Sequence, residues 1–297
     1  MRNHILRTLV VLALAAIAGC ASVSERLAQK IQYIIPQDQA SPGDVLSLGV
    51  VLPQDIRNGS LRFIDRTYRL YPRRDLAPGT YTAFVPVAKV DPGAYPLTFT
   101  FRPREKKAAQ VREEFQIQIL PDFLPRPLQT VPGKKFNAEQ YVVDRMRIQQ
   151  MLAKSKFKAV KLQDLLLPLG GEIVSEFGMR REYAGKAEVA LEGLEIIPVS
   201  ATAVEVNAAA DGLIRLAENL PMLGNTVLID HGFSFATLYC HLKNLDVKAG
   251  QTVMRGDRLG SVGSTGGAAV GKRLYYQLFV AGMPVNVKAY TGIDVFK

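Results

Sequence analysis

Short apolar runs that alternate with polar residues, each stopped by Pro, Gly, Asn or Asp, recur from Ser41 almost to the C-terminus. This punctuation constrains the fold more than any other feature of the chain. A helix that buries one face needs apolar residues three or four positions apart, whereas a half-buried strand needs them at every second position. Residues 45–51, 81–87, 95–101 and 115–119 keep the strand period, and residues 61–70 read as a further pair of strands. Turn signals such as Asp91-Pro92-Gly93 separate them. The chain is therefore expected to be mainly β.

The first residues obey a different rule. Arg2 and Arg7 precede an apolar run over 9–18, and small residues lead to Cys20, the layout of a secretory signal. The run is about half the roughly 20 residues that span a bilayer. Ile17-Ala18-Gly19-Cys20 resembles a bacterial lipobox, which implies cleavage after residue 19 and acylation of Cys20. An ordinary signal cleaved near Ala21 is the alternative. Several acyl chains on one cysteine would hold a domain at a membrane, since each buried methylene contributes about 0.8 kcal/mol. Ala21, where an aspartate would retain the protein at the inner membrane, implies the periplasmic face of the outer membrane.

Residues 20–40 read as a polar tether. The strands over 41–120 resemble an immunoglobulin-like β-sandwich. Residues 121–166 form a linker that begins proline-rich and extended and continues as a helix. Asn137 and Gln140 are spaced as a capping box, and Val142, Val143, Met146 and Met151 supply an apolar side as far as about Ala153. Residues 167–297 make a second, antiparallel β domain of short strands and glycine turns. Charge is uneven: residues 20–167 carry 23 Lys+Arg against 14 Asp+Glu, and residues 168–297 carry 12 against 13. A basic N-terminal half in an exported protein is suited to anionic peptidoglycan or lipid head groups, or serves solubility alone. Nucleic acid is not an expected partner. Beyond Cys20 the only other cysteine is Cys240, so no disulfide framework exists, and its place in an alternating stretch predicts a buried, inert thiol.

The C-terminal half holds the specific motifs. In order come Ser175-Glu176-Phe177-Gly178, Ala210-Asp211-Gly212, Gly224-Asn225-Thr226 running into Asp230-His231-Gly232, Leu238-Tyr239-Cys240-His241-Leu242, Val247-Lys248-Ala249-Gly250 and the glycines of 260–266. Their order and spacing resemble the lysostaphin-type (LytM) zinc peptidases, which cut peptide bonds in peptidoglycan cross-links. The resemblance implies a zinc ion held by the His and Asp of H-x-x-x-D and the second His of H-x-H, with an activated water.

This chain departs from that pattern at the ligands. Leu191-Glu192-Gly193-Leu194-Glu195 stands for the first motif, so Leu191 replaces the histidine and Glu195 the aspartate. Arg273 and Tyr275 stand for the two histidines of the second, followed by Gln277. Arg has no lone pair to give, and a neutral phenol is a poor zinc donor. His241 alone keeps its family identity, while His231 falls at a strand end outside the metal site. No metal and no cofactor are therefore expected, and the domain reads as a pseudopeptidase without catalytic residues. Strand alternation places Arg273, Tyr275 and Gln277 on one face, and Tyr239 with His241 on a face of another strand, as a polar, cationic groove. Arg273 is expected to replace the positive charge of zinc, either by pairing with Glu195 or by receiving a ligand carboxylate.

Degenerate LytM domains of the EnvC and NlpD type activate cell-wall amidases, so the resemblance implies an activator or scaffold of peptidoglycan hydrolases in wall remodelling or division. Those activators carry coiled coils or wall-binding repeats where this chain has an immunoglobulin-like module. A peptidoglycan-binding module without a hydrolase partner is the first alternative, and an active zinc endopeptidase the second.

Overall fold

The computed structural model of the chain describes residues 9–11, 22–121, 128–133, 135–153, 165–200, 202 and 204–289. They fall into two units, Met1–Phe123 and Leu124–Lys297. The proposed leader, apart from a strand Leu9–Val11, and the lipidation position Cys20 lie outside the described residues.

In the first unit, strands Gln32–Ile35, Val45–Val51, Thr80–Pro86 and Tyr71–Pro72 form one sheet, with Leu9–Val11 at its edge. Gln39–Ala40, Val111–Ile119, Gly93–Pro103, Ile56–Phe63 and Arg66–Tyr68 form the other. Alternation fills the core: Leu46, Leu48 and Val50 come from the first sheet, and Leu61, Phe63, Leu97, Phe99, Phe101, Ile117 and Ile119 from the second, all fully buried. Tyr33 adds its ring against Phe99 and Phe115, with centroids 5.2 and 5.1 Å away.

Tyr33 corrects the expected tether over 20–40. From Ser22 onward this segment is built into the unit: Ser22 and Glu25 form a capping box on helix α1 (Val23–Ala28), and Gln32–Ile35 pairs antiparallel with Val45–Val51. Gln39–Ala40 pairs parallel with Val111–Ile119. Ile31, Tyr33 and Ile35 all point inward, a period of two blurred in the sequence by the outward-facing Ile34.

The second unit contains a small sheet in which Leu128–Val131 runs parallel to Arg180–Tyr183, itself antiparallel to Ala187–Ala190. Part of the expected linker is thus a strand of this unit. The large sheet runs in the order Gly171–Ser175, Leu194–Pro198, Leu274–Val280, Phe235–Leu245, Gly224–Gly232, Gly212–Leu220, Thr252–Val253, and further short strands join it. Helix α2 (Ala138–Ala153) lies on one face of it. Gln140 donates its backbone N–H to the Asn137 side chain, and the Gln140 amide turns inward to Asp144 instead of closing the capping box.

Helix α2 begins where the sequence predicts, but its buried side is not the predicted one. Val142, Val143 and Met146 are more than half exposed. The inward side consists of Tyr141, Asp144, Ile148, Met151 and Leu152, with Arg145 beside them. Ile148 packs with Leu216, Leu238, Cys240, Tyr275 and Phe279 of the sheet. Asp144 is sealed in because its Oδ2 accepts the backbone N–H groups of Met222 and Leu223 at 2.7 and 3.0 Å. An apolar-stripe rule cannot see a helix whose inward face includes a carboxylate.

Candidate functional site

The site forms where three neighbouring strands bring side chains to one face of the large sheet. Strand Leu274–Val280 pairs Tyr275 with Glu195 on one side and with Cys240 on the other, and it pairs Gln277 with Leu238. Residues directly opposite one another share a face, so Glu195, Tyr275, Cys240 and Gln277 lie together, and Arg273 joins them through its contact with Glu195. The same register pairs Tyr239 with Tyr276, which places Tyr239 on the opposite face.

This corrects the expected place of Tyr239 in the groove. Its hydroxyl is fully buried and accepts the Ala209 backbone N–H at 2.9 Å, and it hydrogen-bonds to Thr237. Thr237 in turn bonds His231, whose Nδ1 donates to the Asp211 carbonyl at 2.7 Å. His241 should follow Tyr239 but leaves the alternation at a register irregularity, with φ of 66°. A non-glycine residue adopts this left-handed region only when its surroundings hold it there. The result carries the His241 ring to 6.4 Å from that of Tyr275, with Nδ1 donating to the Thr265 carbonyl at 2.9 Å.

Glu195 is the electrostatic centre. Arg181 grips it through both nitrogens, Nη1 to Oε1 at 2.5 Å and Nη2 to Oε2 at 2.6 Å. The Ser175 hydroxyl donates to Oε2 at 2.8 Å, and Arg273 Nη1 reaches the same oxygen at 3.0 Å. Gln129, on the first strand of the small sheet, accepts from Arg181 Nε at 3.1 Å and Nη2 at 2.5 Å. Burial by itself would raise the Glu195 pKa, but Arg181, Arg273 and Ser175 reverse that and hold the carboxyl at about 2. Of the predicted outcomes for Arg273, pairing with Glu195 is the one present. Arg181 was not foreseen, although Arg181 and Tyr183 share the inward side of an alternating strand.

A second polar group stands beside it. Arg145 of α2 donates to Gln277 Oε1 at 3.1 Å and forms an ion pair with Glu192. The Glu192 backbone N–H donates to the Tyr275 hydroxyl at 3.2 Å. Burial drives the Tyr275 phenol well above its ordinary pKa, keeping it neutral. Burial also lowers the His241 pKa, and the two nearby guanidiniums, Arg181 and Arg273, add to that against the pull of Thr265 and Glu195. Leu191 is buried and offers no donor atom. Cys240 is fully buried, its thiol pushed up to about 12 by burial.

Zinc does not fit this set of residues. Both Glu195 oxygens are already bonded, the Tyr275 hydroxyl accepts a backbone N–H, and a divalent cation would sit against two guanidiniums. Among the described residues, no three His, Cys, Asp or Glu side chains are grouped to hold a metal.

Residues 192–287 match the family model of peptidase family M23. The second unit carries an M23 domain. Peptidoglycan DD-endopeptidase ShyA of Vibrio cholerae is 44% identical over 81 residues, 27% of this chain and 19% of that protein. Cell division protein DipM of Caulobacter vibrioides is 41% identical over 101 residues, 34% of this chain and 15% of that protein. The chain thus spans less than a fifth of the length of these relatives. A crystal structure of a peptidase M23 from Pseudomonas aeruginosa covers 85% of this chain and 94% of its own, with a TM-score of 0.57 and 23% identity, a likeness of fold. Within the M23 domain, Glu195, Arg273 and Tyr275 fall inside the matched residues and Leu191 immediately precedes them.

Proposed function

We propose that this protein is a non-catalytic M23-domain lipoprotein, anchored through acylated Cys20 at the periplasmic face of the outer membrane, which regulates or scaffolds peptidoglycan hydrolases. The observation that carries the reading is the Arg181–Glu195–Arg273 cluster, a filled ion-pair network at the position where the family holds its metal. A hydrolytic water needs an open metal position or a free general base. Glu195 offers neither, and Tyr275 and His241 are both 4% exposed. Relatives named for peptidoglycan endopeptidase activity and for cell division support a role in wall chemistry.

The test is dye release from labelled sacculi by the full chain alone, with added zinc, with chelator, and with each periplasmic amidase of the host. Release only in the presence of an amidase is the expected result. Release by the protein alone, abolished by chelator, would overturn the proposal. That second outcome is the endopeptidase reading, which the 44% identity to a DD-endopeptidase favours. Retention on sacculi without any stimulated hydrolysis would instead support a wall-binding module. The charge of the first unit fits that reading weakly, since residues 22–121 carry 14 Lys+Arg against 10 Asp+Glu.

A further inference from the structure

The buried cluster at the metal position does not balance its charge. Arg181 and Arg273 contribute two positive charges and Glu195 one negative. Arg145 and Glu192 neutralise each other alongside. His241, its Nδ1 committed to a carbonyl acceptor, and Tyr275 are neutral neighbours. One positive charge is therefore left without a counter-charge in a place poorly hydrated by solvent, an arrangement that is costly unless an anion completes it.

The surplus belongs to Arg273. Arg181 is fully engaged, by Glu195 on one edge and Gln129 on the other. Arg273 spends only Nη1 on Glu195, and its buried Nε finds no acceptor among the described residues. Nε and Nη2 form the two-pronged edge of a guanidinium that matches a carboxylate. Access also singles out this residue: the Arg273 side chain is 14% exposed, against 1% for Arg181 and 2% for Glu195. Its own backbone N–H is tied to the Gly263 carbonyl, and the adjacent Ser264 and Thr265 of that loop are at least partly exposed, so a ligand would arrive beside this glycine-rich segment.

We propose that Arg273 is the base of a monoanion site that receives a carboxylate, such as the free C-terminus of a peptide, where the family holds zinc. One carboxylate carries the single negative charge the cluster lacks, whereas a phosphate dianion would exceed it. The proposal rests on the non-catalytic reading of this site and gives it a ligand.

Isothermal titration of the purified full chain with N-acetyl-D-alanyl-D-alanine, its C-terminal amide and acetate tests it. The acid should bind, and the amide about 10- to 100-fold more weakly, the range set by loss of a charge-assisted hydrogen-bond pair. Acetate binding as tightly as the dipeptide would assign recognition to the carboxylate alone, and a tighter dipeptide would assign it to a peptide terminus. Arg273→Gln should abolish binding yet leave the unfolding temperature nearly unchanged, because Arg181 and Glu195 remain a matched pair. Arg273→Lys, which keeps the charge and loses the two-pronged edge, should bind about tenfold more weakly. Equal binding of acid and amide, no binding of the acid, or undiminished binding by Arg273→Gln would each overturn the site. Amidase stimulation that persists without acid-selective binding would sink this inference alone. Acid-selective binding without stimulation would sink only the regulatory reading.

Discussion

Glu195 and the arginine that grips it separate two kinds of substitution at neighbouring atoms. Glu195→Gln removes the one negative charge shared by two buried guanidiniums and should cost about 3–5 kcal/mol, the penalty of an uncompensated buried charge. Arg273→Gln leaves a balanced pair and should cost less than about 1 kcal/mol. Guanidinium chloride unfolding of both variants checks the contrast, and equal losses would mean that Arg273 is as structural as Arg181. The same geometry bears on restoring a metal. With Leu191→His, Glu195→Asp, Arg273→His and Tyr275→His, Arg181 would still donate toward position 195. The fourfold variant should therefore fail to take up zinc in a chelator-competition titration, and adding Arg181→Ser should permit uptake. Leu191, Glu195, Arg273 and Tyr275 could be singled out in the sequence because each sits at a fixed place in a motif. Arg181 could not, because nothing local to Arg180-Arg181-Glu182-Tyr183 says that its partner lies on another strand.

At the scale of elements, α2 shows what pattern reading recovers and what it misses. Its start follows from the Asn137 cap, which is present in the structure. Its orientation does not, because Asp144 and Arg145 face the sheet while Val142, Val143 and Met146 face out. Polar tertiary partners on the sheet decide the matter, and a single-helix pattern contains no information about them. Asp144→Ala should leave the Met222 and Leu223 N–H groups without an acceptor, at about 1–3 kcal/mol for each group left unpaired. Amide exchange at those two positions should accelerate along with a loss of global stability. Val142→Ser, on the exposed side, should change stability by no more than about 0.5 kcal/mol. A larger effect there would show that the outward face is covered in solution. The segment that the sequence predicts to be a tether follows the same rule in β form. Ile31, Tyr33 and Ile35 do alternate, but a three-residue pattern interrupted by the apolar, exposed Ile34 acquires meaning only when a sheet edge is available to receive it.

For the whole molecule, the buried titratable groups set an acid limit in two stages. His231 and His241 are both buried, and burial lowers both pKa values from the ordinary 6.5. The ring of His231 is held on both sides: Nδ1–H donates to the Asp211 carbonyl, and Nε2 meets the Thr237 hydroxyl, which itself donates to the Tyr239 hydroxyl. Above about pH 6.5 the two histidines are neutral in folded and unfolded chains alike and exert no pH dependence. As pH falls below that value the unfolded chain takes up protons first, so stability declines until the lowered folded pKa values are reached. Glu195 works in the same direction over a lower range. Its folded pKa of about 2 lies below the ordinary 4.5, so its contribution is intact above about pH 4.5 and disappears as pH falls to about 2. The denaturant midpoint of the second unit should therefore be flat from pH 8 to 7, decline from about 6.5, and decline again below about 4.5. His231→Gln should lessen the first stage, to which His241 still contributes, and leave the second. Because the groups are buried, 0.5 M salt should change neither stage much, whereas exposed pairs such as Arg180–Glu188 would be screened. A first stage that survives removal of both histidines would assign the descent to other groups.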